Sequence, residues 1–239
     1  MKNQSFKLTI SLATPFIMGR TRTTLDSLLS AAIFRKTGLK GSDCIPHIPL
    51  EQEHGIFKAS SLFISDESRL SHVKAGRTMS LKGLNDLSVD HFLPNSANGQ
   101  RYLAVDQARG PYKSNMSEYS ALSATEVCFY GVGDAEAVKE LIETYIPGIG
   151  AHSSQGAGQI LDVQYELLSN ESDFSWITES GKPARPLPVE IWNTLPSIDS
   201  VSVKGAANVT VRFPYWDHDN LALAVFPIEY TYRLANNYQ

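Results

Sequence analysis

Gly148-Ile149-Gly150-Ala151-His152-Ser153-Ser154-Gln155-Gly156-Ala157-Gly158 places four glycines in a G-x-G-x5-G-x-G frame, between a helical pattern and a strand pattern. Glycine has no side chain to keep an anion at a distance and tolerates positive φ, so paired glycines can turn successive N–H groups toward one anion. A dinucleotide fingerprint is excluded because it would follow a strand and open a helix. No Gly-Lys-Ser/Thr triplet closes the frame as in a Walker loop. The stretch predicts an anion-binding loop, or alternatively a loop that only needs several tight turns.

Outward from this loop the sequence contains two β-α-β patterns. The second runs from a strand at 122–132 through a helix that Asp134 caps and Pro147 ends, to a strand at 159–167. The first has alternating apolar residues at 6–12, an amphipathic helix from Thr24 to Lys36, and a strand signal at 56–64. This order predicts an α+β fold, the ferredoxin-like (RRM-like) arrangement with helices on one sheet face and the other face free for an extended ligand.

Two further segments complete the predicted organisation. Residues 65–120 lack clear periodicity and are too long for a simple connection, so they predict an insertion. Residues 168–239 combine six prolines with short apolar runs at 201–203, 209–213 and 221–226, and predict a small β-rich extension. The predicted domains are therefore 1–167, with the insertion at 65–120, and 168–239.

Composition narrows the class of protein. With 42% hydrophobic and 19% charged residues among 239, the chain has the composition of an ordinary globular protein, and no apolar run of about 18 residues predicts a membrane span. The start alternates rather than running apolar, unlike a signal peptide, so we expect a cytoplasmic protein. Cys44 and Cys128 match neither a disulfide framework nor a metal pair. The segment 216–219, Trp-Asp-His-Asp, contains residues that could bind a metal, but neighbouring residues of a strand point to opposite faces, so no metal site is expected there. No cofactor is expected either.

Charge is distributed unevenly along the chain. Residues 1–113 hold 15 Lys and Arg against 9 Asp and Glu, whereas residues 114–239 hold 6 against 16. One interpretation is that the basic half binds a polyanion and the acidic half binds a protein partner. The other is that the charges are separated by chance on a solvated surface.

The glycine frame following a hydrophobic helix resembles the RAMP superfamily of CRISPR-associated proteins. The first helix begins with Leu25-Asp26-Ser27-Leu28-Leu29, which is similar to the Leu-Asp-x-Leu-Leu start in these proteins. The segments Arg185-Pro186-Leu187-Pro188 and Pro214-Tyr215-Trp216 are most similar to the Cas-five-like subunit, Csf-three, of type IV effector complexes.

This resemblance implies a non-catalytic subunit that binds CRISPR guide RNA (crRNA) and caps its 5′ handle, with the insertion as a thumb against the guide. It implies backbone (Cas-seven-like) subunits, a large subunit and target DNA as partners, in antiviral or anti-plasmid defence. No membrane partner is expected.

Guide capture by phosphate contact needs Lys and Arg, and nearby aromatic side chains can stack on unpaired bases. Because residues 151–155 contain no Lys or Arg, any phosphate contact there would use N–H groups, hydroxyls or His152. The predicted RNA-binding residues are Arg20, Arg22, Lys74, Arg77, Lys82, Arg101, Arg109, Lys113, Gly148, Gly150, His152, Ser153, Ser154, Gln155, Gly156 and Gly158; no catalytic or metal-binding residue is predicted.

Two alternatives remain open. The first alternative is a Cas-six-like, metal-independent endoribonuclease, because related RAMP proteins cleave guide RNA. Histidines such as His47 or His152 would then be the acid-base groups. The other is a protein-interaction module that uses the acidic half.

Overall fold

The computed structural model describes residues 4–19, 22–64, 71–79, 93–94, 103–104, 115–169, 172–195 and 205–227, with only the backbone given at 75–79, 93–94, 103–104 and 115–117. The chain divides into two compact units, residues 1–71 with 122–239, and residues 72–121. No helix among the described residues is both long and apolar enough to cross a membrane.

The regular elements alternate along the chain. The helices are α1 (Leu25–Thr37), α2 (Ala135–Tyr145) and α3 (Val189–Trp192). The strands are β1 (Gln4–Leu12), β2 (Gln52–Glu53), β3 (Ile56–Phe57), β4 (Phe63–Ile64), β5 (Ser71–Met79), β6 (Leu93–Pro94), β7 (Leu103–Ala104), β8 (Asn115–Ser123), β9 (Glu126–Gly133), β10 (Ile160–Leu167), β11 (Leu187–Pro188), β12 (Ala206–Thr210) and β13 (Leu221–Val225).

The main sheet of the first unit has four strands in the order β10-β1-β9-β4, and every neighbouring pair is antiparallel. Phe6, Leu8 and Ile10 are fully buried on one face of β1, as their alternation predicted. The predicted strands at 6–12 and 159–167 are confirmed as β1 and β10, and the predicted mixture of helices with an antiparallel sheet is confirmed.

Both predicted helices are confirmed. The N–H of Thr24 donates to Ser27 Oγ at 3.2 Å at the start of α1, and Gly38 closes the helix in the left-handed conformation. Asp134 Oδ1 accepts from the N–H of Ala137 at 3.1 Å, which caps α2. The two helices contact each other and bury Leu25, Leu29, Ile33, Val138 and Ile142 against β1 and β9.

The predicted strand at 56–64 is wrong in its extent. It is divided into β3, which pairs with β2, and β4, which pairs with β9. Between them the N–H of Ser60 still donates to the carbonyl of Tyr130 at 2.8 Å and Ala59 bridges Gly131. The carbonyls of Phe57 and Ala59, however, accept from Arg185, and Ser60 Oγ accepts the N–H of Tyr130. Pairing with β9 is therefore irregular here, where a buried side chain from far along the chain takes two of the carbonyls.

The predicted strand at 122–132 is also wrong in its extent. Residues 122–123 end β8, and β9 begins only at Glu126. At the intervening bend, the carbonyl of Thr125 accepts the N–H of Leu12 at 2.9 Å, so this residue pairs with the end of β1.

A second sheet in the same unit has the order β11-β13-β12, all antiparallel. Next to it lies a small hydrophobic cluster formed by Ile56, Trp176, Leu187, Trp192 and Val225. The predicted apolar runs at 209–213 and 221–226 correspond to the ends of β12 and to β13, whereas the run at 201–203 lies outside the described residues.

The unit 72–121 contains most of β5 and β8, which pair as a two-stranded sheet, and the short pair β6 and β7. The nine-residue strands β5 and β8 were not predicted. Their sequences, SHVKAGRTM and NMSEYSALS, contain too few alternating apolar residues to signal a strand.

Candidate nucleic-acid interface

A buried ionic network joins three segments that are distant in sequence. Asp26 from α1 and Arg185 are 0% and 1% exposed, and Nη1 of Arg185 lies 3.5 Å from Oδ1 of Asp26. The same nitrogen donates to the carbonyls of Phe57 and Ala59 at 2.7 and 3.0 Å, while Nη2 donates to the hydroxyl of Tyr215 at 2.6 Å. That hydroxyl in turn donates to Asp26 Oδ2. The network fixes the segments around Arg185 and Tyr215 against the start of α1.

The protonation of this network follows from its burial. Burial raises the pKa of the Tyr215 hydroxyl, and the carboxylate of Asp26 raises it further against the opposing effect of Arg185. Burial by itself lowers the pKa of the Arg185 guanidinium, but Asp26 and Tyr215 outweigh it and the net pKa is raised. Tyr215 is therefore a neutral donor and Arg185 a charged one, and Arg185 is occupied inside the protein rather than offered to a ligand.

Directly beside Tyr215 lies a cavity of about 840 Å³. Its walls come from residues 18–19 and 22–24, one side of α1, the segment at 39–44, the strand β12, and residues 213–216. The walls are mostly apolar, with hydroxyls from residues such as Ser27, Ser30 and Thr210. Among the described lining residues there are two cations, Arg22 and Lys40, and no carboxylate.

Aromatic side chains border this cavity. Trp216 is 68% exposed and makes an edge contact with Phe213, with ring centroids 5.5 Å apart. Phe34 of α1 is 45% exposed, and Nζ of Lys40 lies 5.7 Å from its ring centroid. The guanidinium of Arg22 lies 5.8 Å from the ring centroid of Phe63. The rim thus combines exposed aromatic surface with positive charge.

The glycine loop packs backbone to backbone against residues 15–17. The N–H of Gly158 donates to the carbonyl of Pro15 at 2.9 Å, and the N–H of Ala151 donates to the carbonyl of Ile17 at 2.8 Å. Within the loop, the N–H of Ile149 donates to the carbonyl of Gly158 at 2.8 Å. Residues 153–155 form one turn of 3-10 helix at the tip, where Ser154, Gln155 and Gly156 are exposed.

The glycines of this loop differ in what they permit. A Cβ on Gly158 would lie 2.1 Å from the carbonyl oxygen of Ile149, and one on Gly150 would lie 2.4 Å from that of Ile17, so both positions exclude any side chain. A Cβ on Gly156 would meet no atom within 4 Å, although its φ of +89° favours glycine. The inner glycines therefore have a structural role in this fold, and only Gly156 stands at an open surface.

Residues 15–19 connect the glycine loop to the cavity. Ile17 contacts the glycine loop, and the next two residues, Met18 and Gly19, line the cavity. At most about 7 Å of chain therefore separates the residue that contacts the loop from those that line the cavity. We refer to residues 15–19, the glycine loop and the cavity together as the loop-cavity strip.

Comparison with known proteins gives one family match over nearly the whole described chain. The family model for "CRISPR type IV associated protein Csf3" matches residues 4–227. The chain belongs to the Csf3 family. The resemblance inferred from the glycine frame and the segments around Asp26, Arg185 and Tyr215 is thereby confirmed, and three of those resembling segments meet in the buried network.

The other comparisons are more distant. A chain in the cryo-EM structure of the Type III-B Cmr-beta bound to cognate target RNA is 12% identical, with a TM-score of 0.40. The alignment covers 70% of the Csf3-family chain and only 61% of that chain, a likeness too remote to bear on function. No curated protein matches the chain.

The structure brings only part of the predicted RNA-binding set together. Arg22 and the eight predicted positions of the glycine loop belong to the loop-cavity strip. Lys74 lies in β5 of the other unit, exposed, with Nζ 4.0 Å from Oε2 of Glu118. Arg77 also lies in β5, where only the backbone is described. Arg20, Lys82, Arg101, Arg109 and Lys113 lie outside the described residues.

The sheet face opposite the helices is less suited to a polyanion than the fold class suggested. Exposed Asp162 and Glu126 flank Ser11, and exposed Glu166 lies opposite Lys7. Farther across this face Phe63, Tyr130 and Phe174 pack edge to face. Carboxylates on β9 and β10 repel phosphate, whereas the described lining residues of the cavity include Arg22 and Lys40 and no carboxylate.

Sequence reasoning missed three residues of the cavity. Phe34 reads as one more apolar residue of an amphipathic helix, and Lys40 as one lysine among many. Trp216 lies in the acidic half beside Asp217 and Asp219, so the charge count pointed away from it. The available signal was the Pro214-Tyr215-Trp216 segment, whose Tyr215 is buried in the network while Trp216 is exposed. The described residues contain no cluster of three metal-ligating side chains.

Proposed function

We propose that this protein is a guide-RNA-binding subunit of a type IV CRISPR effector complex that holds the 5′ handle of the crRNA without cleaving it. Membership of the Csf3 family supports the setting, because the family is associated with type IV CRISPR systems by its description. The strand order β10-β1-β9-β4 with α1 and α2 on one face supports a ferredoxin-like RAMP fold.

The observation that carries the proposal is the loop-cavity strip. Residues 15–19 run from the glycine loop to the cavity, whose described lining residues contribute two cations and exposed aromatic surface but no carboxylate. Proteins that hold single-stranded RNA combine cations for the phosphates with aromatic faces for unstacked bases. A cavity of this character beside the loop suits a short, single-stranded end of RNA. The N–H groups of Gln155 and Gly156 already donate to the carbonyls of His152 and Ser153, so contact at the exposed tip would use the side chains of Ser154 and Gln155.

The proposed partners follow from the same setting. Backbone subunits of the Cas-seven-like type, a large subunit and target DNA are proposed neighbours in the complex. The segment 65–120, which includes the predicted cations Lys74 to Lys113, is proposed to contact the guide as a thumb.

Salt-dependent binding of the CRISPR repeat RNA tests this function. For single strands each neutralised phosphate contributes a slope of about −0.7 in log affinity against log salt concentration. The Arg20→Ala/Arg22→Ala double variant should therefore bind more weakly, with a slope shallower by about 0.7 to 1.4 units.

The matched control is Lys58→Ala/Lys139→Ala, which removes two cations that pair with Glu53 and Glu143 away from the strip. It should bind the repeat RNA with the wild-type slope. Equal affinity and slope for wild type and the arginine variant would refute the proposed contact. Shortened RNA products after incubation with wild type, without metal, would favour the Cas-six-like nuclease instead.

A further inference from the structure

The cavity beside Trp216 has a more specific chemical character than the binding of an RNA end alone requires. Its volume of about 840 Å³ lies within the range of pockets that enclose a small ligand. Its walls are mostly apolar, yet its described lining residues include Arg22 and Lys40 without any carboxylate. An occupant that is apolar and flat but attached to negative charge would suit both features.

Trp216 supplies the surface for such an occupant. With 68% of its surface exposed, it stands in contrast to Trp176 and Trp192, which are 6% and 2% exposed. Its ring is positioned by the edge contact with Phe213, and the preceding residue is held in the buried network. An exposed indole fixed at the wall of a cavity is a stacking platform rather than a loose surface side chain.

The polar groups of the cavity are suited to the edge of a base. Ser30 Oγ donates to the carbonyl of Ser27 at 2.8 Å, and Ser27 Oγ donates to the carbonyl of Thr24 at 2.7 Å. Because its proton is used inside α1, the Ser30 oxygen presents its lone pairs as acceptors. The Ser27 oxygen also accepts the N–H of Thr24 and so has one lone pair left. Amino and imino groups on a base edge donate to such oxygens.

We infer that this cavity receives one unpaired base of the bound RNA, stacked on Trp216, with Arg22 and Lys40 neutralising the phosphates on either side. The inference rests on the proposed function and adds to it the subsite that takes a base. A cavity for an apolar side chain of a protein partner would not need two cations at its wall, which is why the base is favoured.

The test uses the full chain and the repeat RNA of its own locus, with each handle position replaced in turn by an abasic nucleotide. Stacking one base is worth about 1–3 kcal/mol, so Trp216→Ala should weaken RNA binding about 5- to 150-fold. The salt slope should stay unchanged because no cation is lost. One abasic position should weaken wild type by a similar factor and leave Trp216→Ala unaffected.

Three further variants separate the base subsite from a folding defect. Trp216→Phe retains an aromatic face and should recover most of the affinity. Ala207→Phe, which lies on β12 in the cavity wall, should block the base while leaving Trp216 in place. Leu221→Ala removes an exposed apolar side chain of β13 outside the cavity lining and should bind as wild type.

The intrinsic fluorescence of Trp216 gives a direct signal, because the other two tryptophans are buried. RNA should quench it in wild type and in Leu221→Ala, but not in Ala207→Phe. The inference would be overturned if Ala207→Phe bound RNA with wild-type affinity and quenching and Trp216→Ala also bound with wild-type affinity. The proposed function would still stand in that case. Normal RNA binding with loss of assembly in these variants would assign the cavity to a protein partner and overturn it as well. A wild-type chain that binds no RNA would overturn both.

Discussion

Arg185→Met tests whether the buried network holds the C-terminal segments to α1. The substitution leaves Asp26 as a fully buried carboxylate without its cation and removes the donor to the carbonyls of Phe57 and Ala59. Removing one partner of a buried ion pair costs about 3–5 kcal/mol, because the other charge stays desolvated and uncompensated. We therefore expect the free energy of unfolding to fall by about 3–5 kcal/mol.

The assay is urea unfolding followed by tryptophan fluorescence, since Trp176 and Trp192 are buried in the same unit as the network. The matched control is Lys139→Met, whose ammonium pairs with Glu143 at 3.7 Å on the partly exposed side of α2. Such a pair contributes about 0–1 kcal/mol, so this variant should unfold close to wild type.

A double-mutant cycle with Asp26→Leu separates the pair from the packing. Removing both charges should cost less than the sum of the two single changes, because neither group is then left buried alone. A loss below about 1 kcal/mol for Arg185→Met, or strict additivity in the cycle, would refute the reasoning.

The remaining predictions concern the glycine loop and alkaline pH. Gly158→Ala should lower the free energy of unfolding by about 2–5 kcal/mol, because the added Cβ would lie 2.1 Å from the carbonyl oxygen of Ile149. Gly156→Ala should lower it by only about 1–2 kcal/mol, which is the cost of placing alanine at a positive φ. Similar urea midpoints for the two variants would contradict this. Burial raises the pKa of Tyr215, so above about pH 10 the unfolded state loses a proton that the folded state keeps, and stability falls as the pH rises. Between pH 9 and 11 the urea midpoint of Tyr215→Phe should fall less than that of wild type, and an equal fall would exclude this contribution.

The elements that the sequence predicted well are those whose signal is local. The alternation of Phe6, Leu8 and Ile10 and the spacing of apolar residues in α1 depend only on near neighbours. The glycine frame was likewise visible, although its inner glycines serve contacts with residues 15–17 that no local pattern reveals.

The errors come from pairs that are far apart in sequence. Asp26 reads as an ordinary acidic residue of a first helical turn, and Arg185 as one cation of a proline-rich stretch. They lie 159 positions apart, and Arg185 also takes the carbonyls of Phe57 and Ala59 within the predicted strand at 56–64. The same guanidinium holds Tyr215, the residue before Trp216. Charge counting has the same limit, because it treats the fully buried Arg185 and the exposed Lys40 as equal.

We propose that the loop-cavity strip holds the 5′ handle of guide RNA, so handle nucleotides should lie against it in the assembled complex. The most direct measurement is ultraviolet crosslinking of the natively purified complex, with mass spectrometry of the peptides joined to RNA and sequencing of the attached nucleotides. We expect crosslinks from handle nucleotides to the peptides that contain residues 15–19, 148–158 and Trp216. Handle crosslinks that fall entirely on other subunits, in a complex that contains this chain, would contradict it.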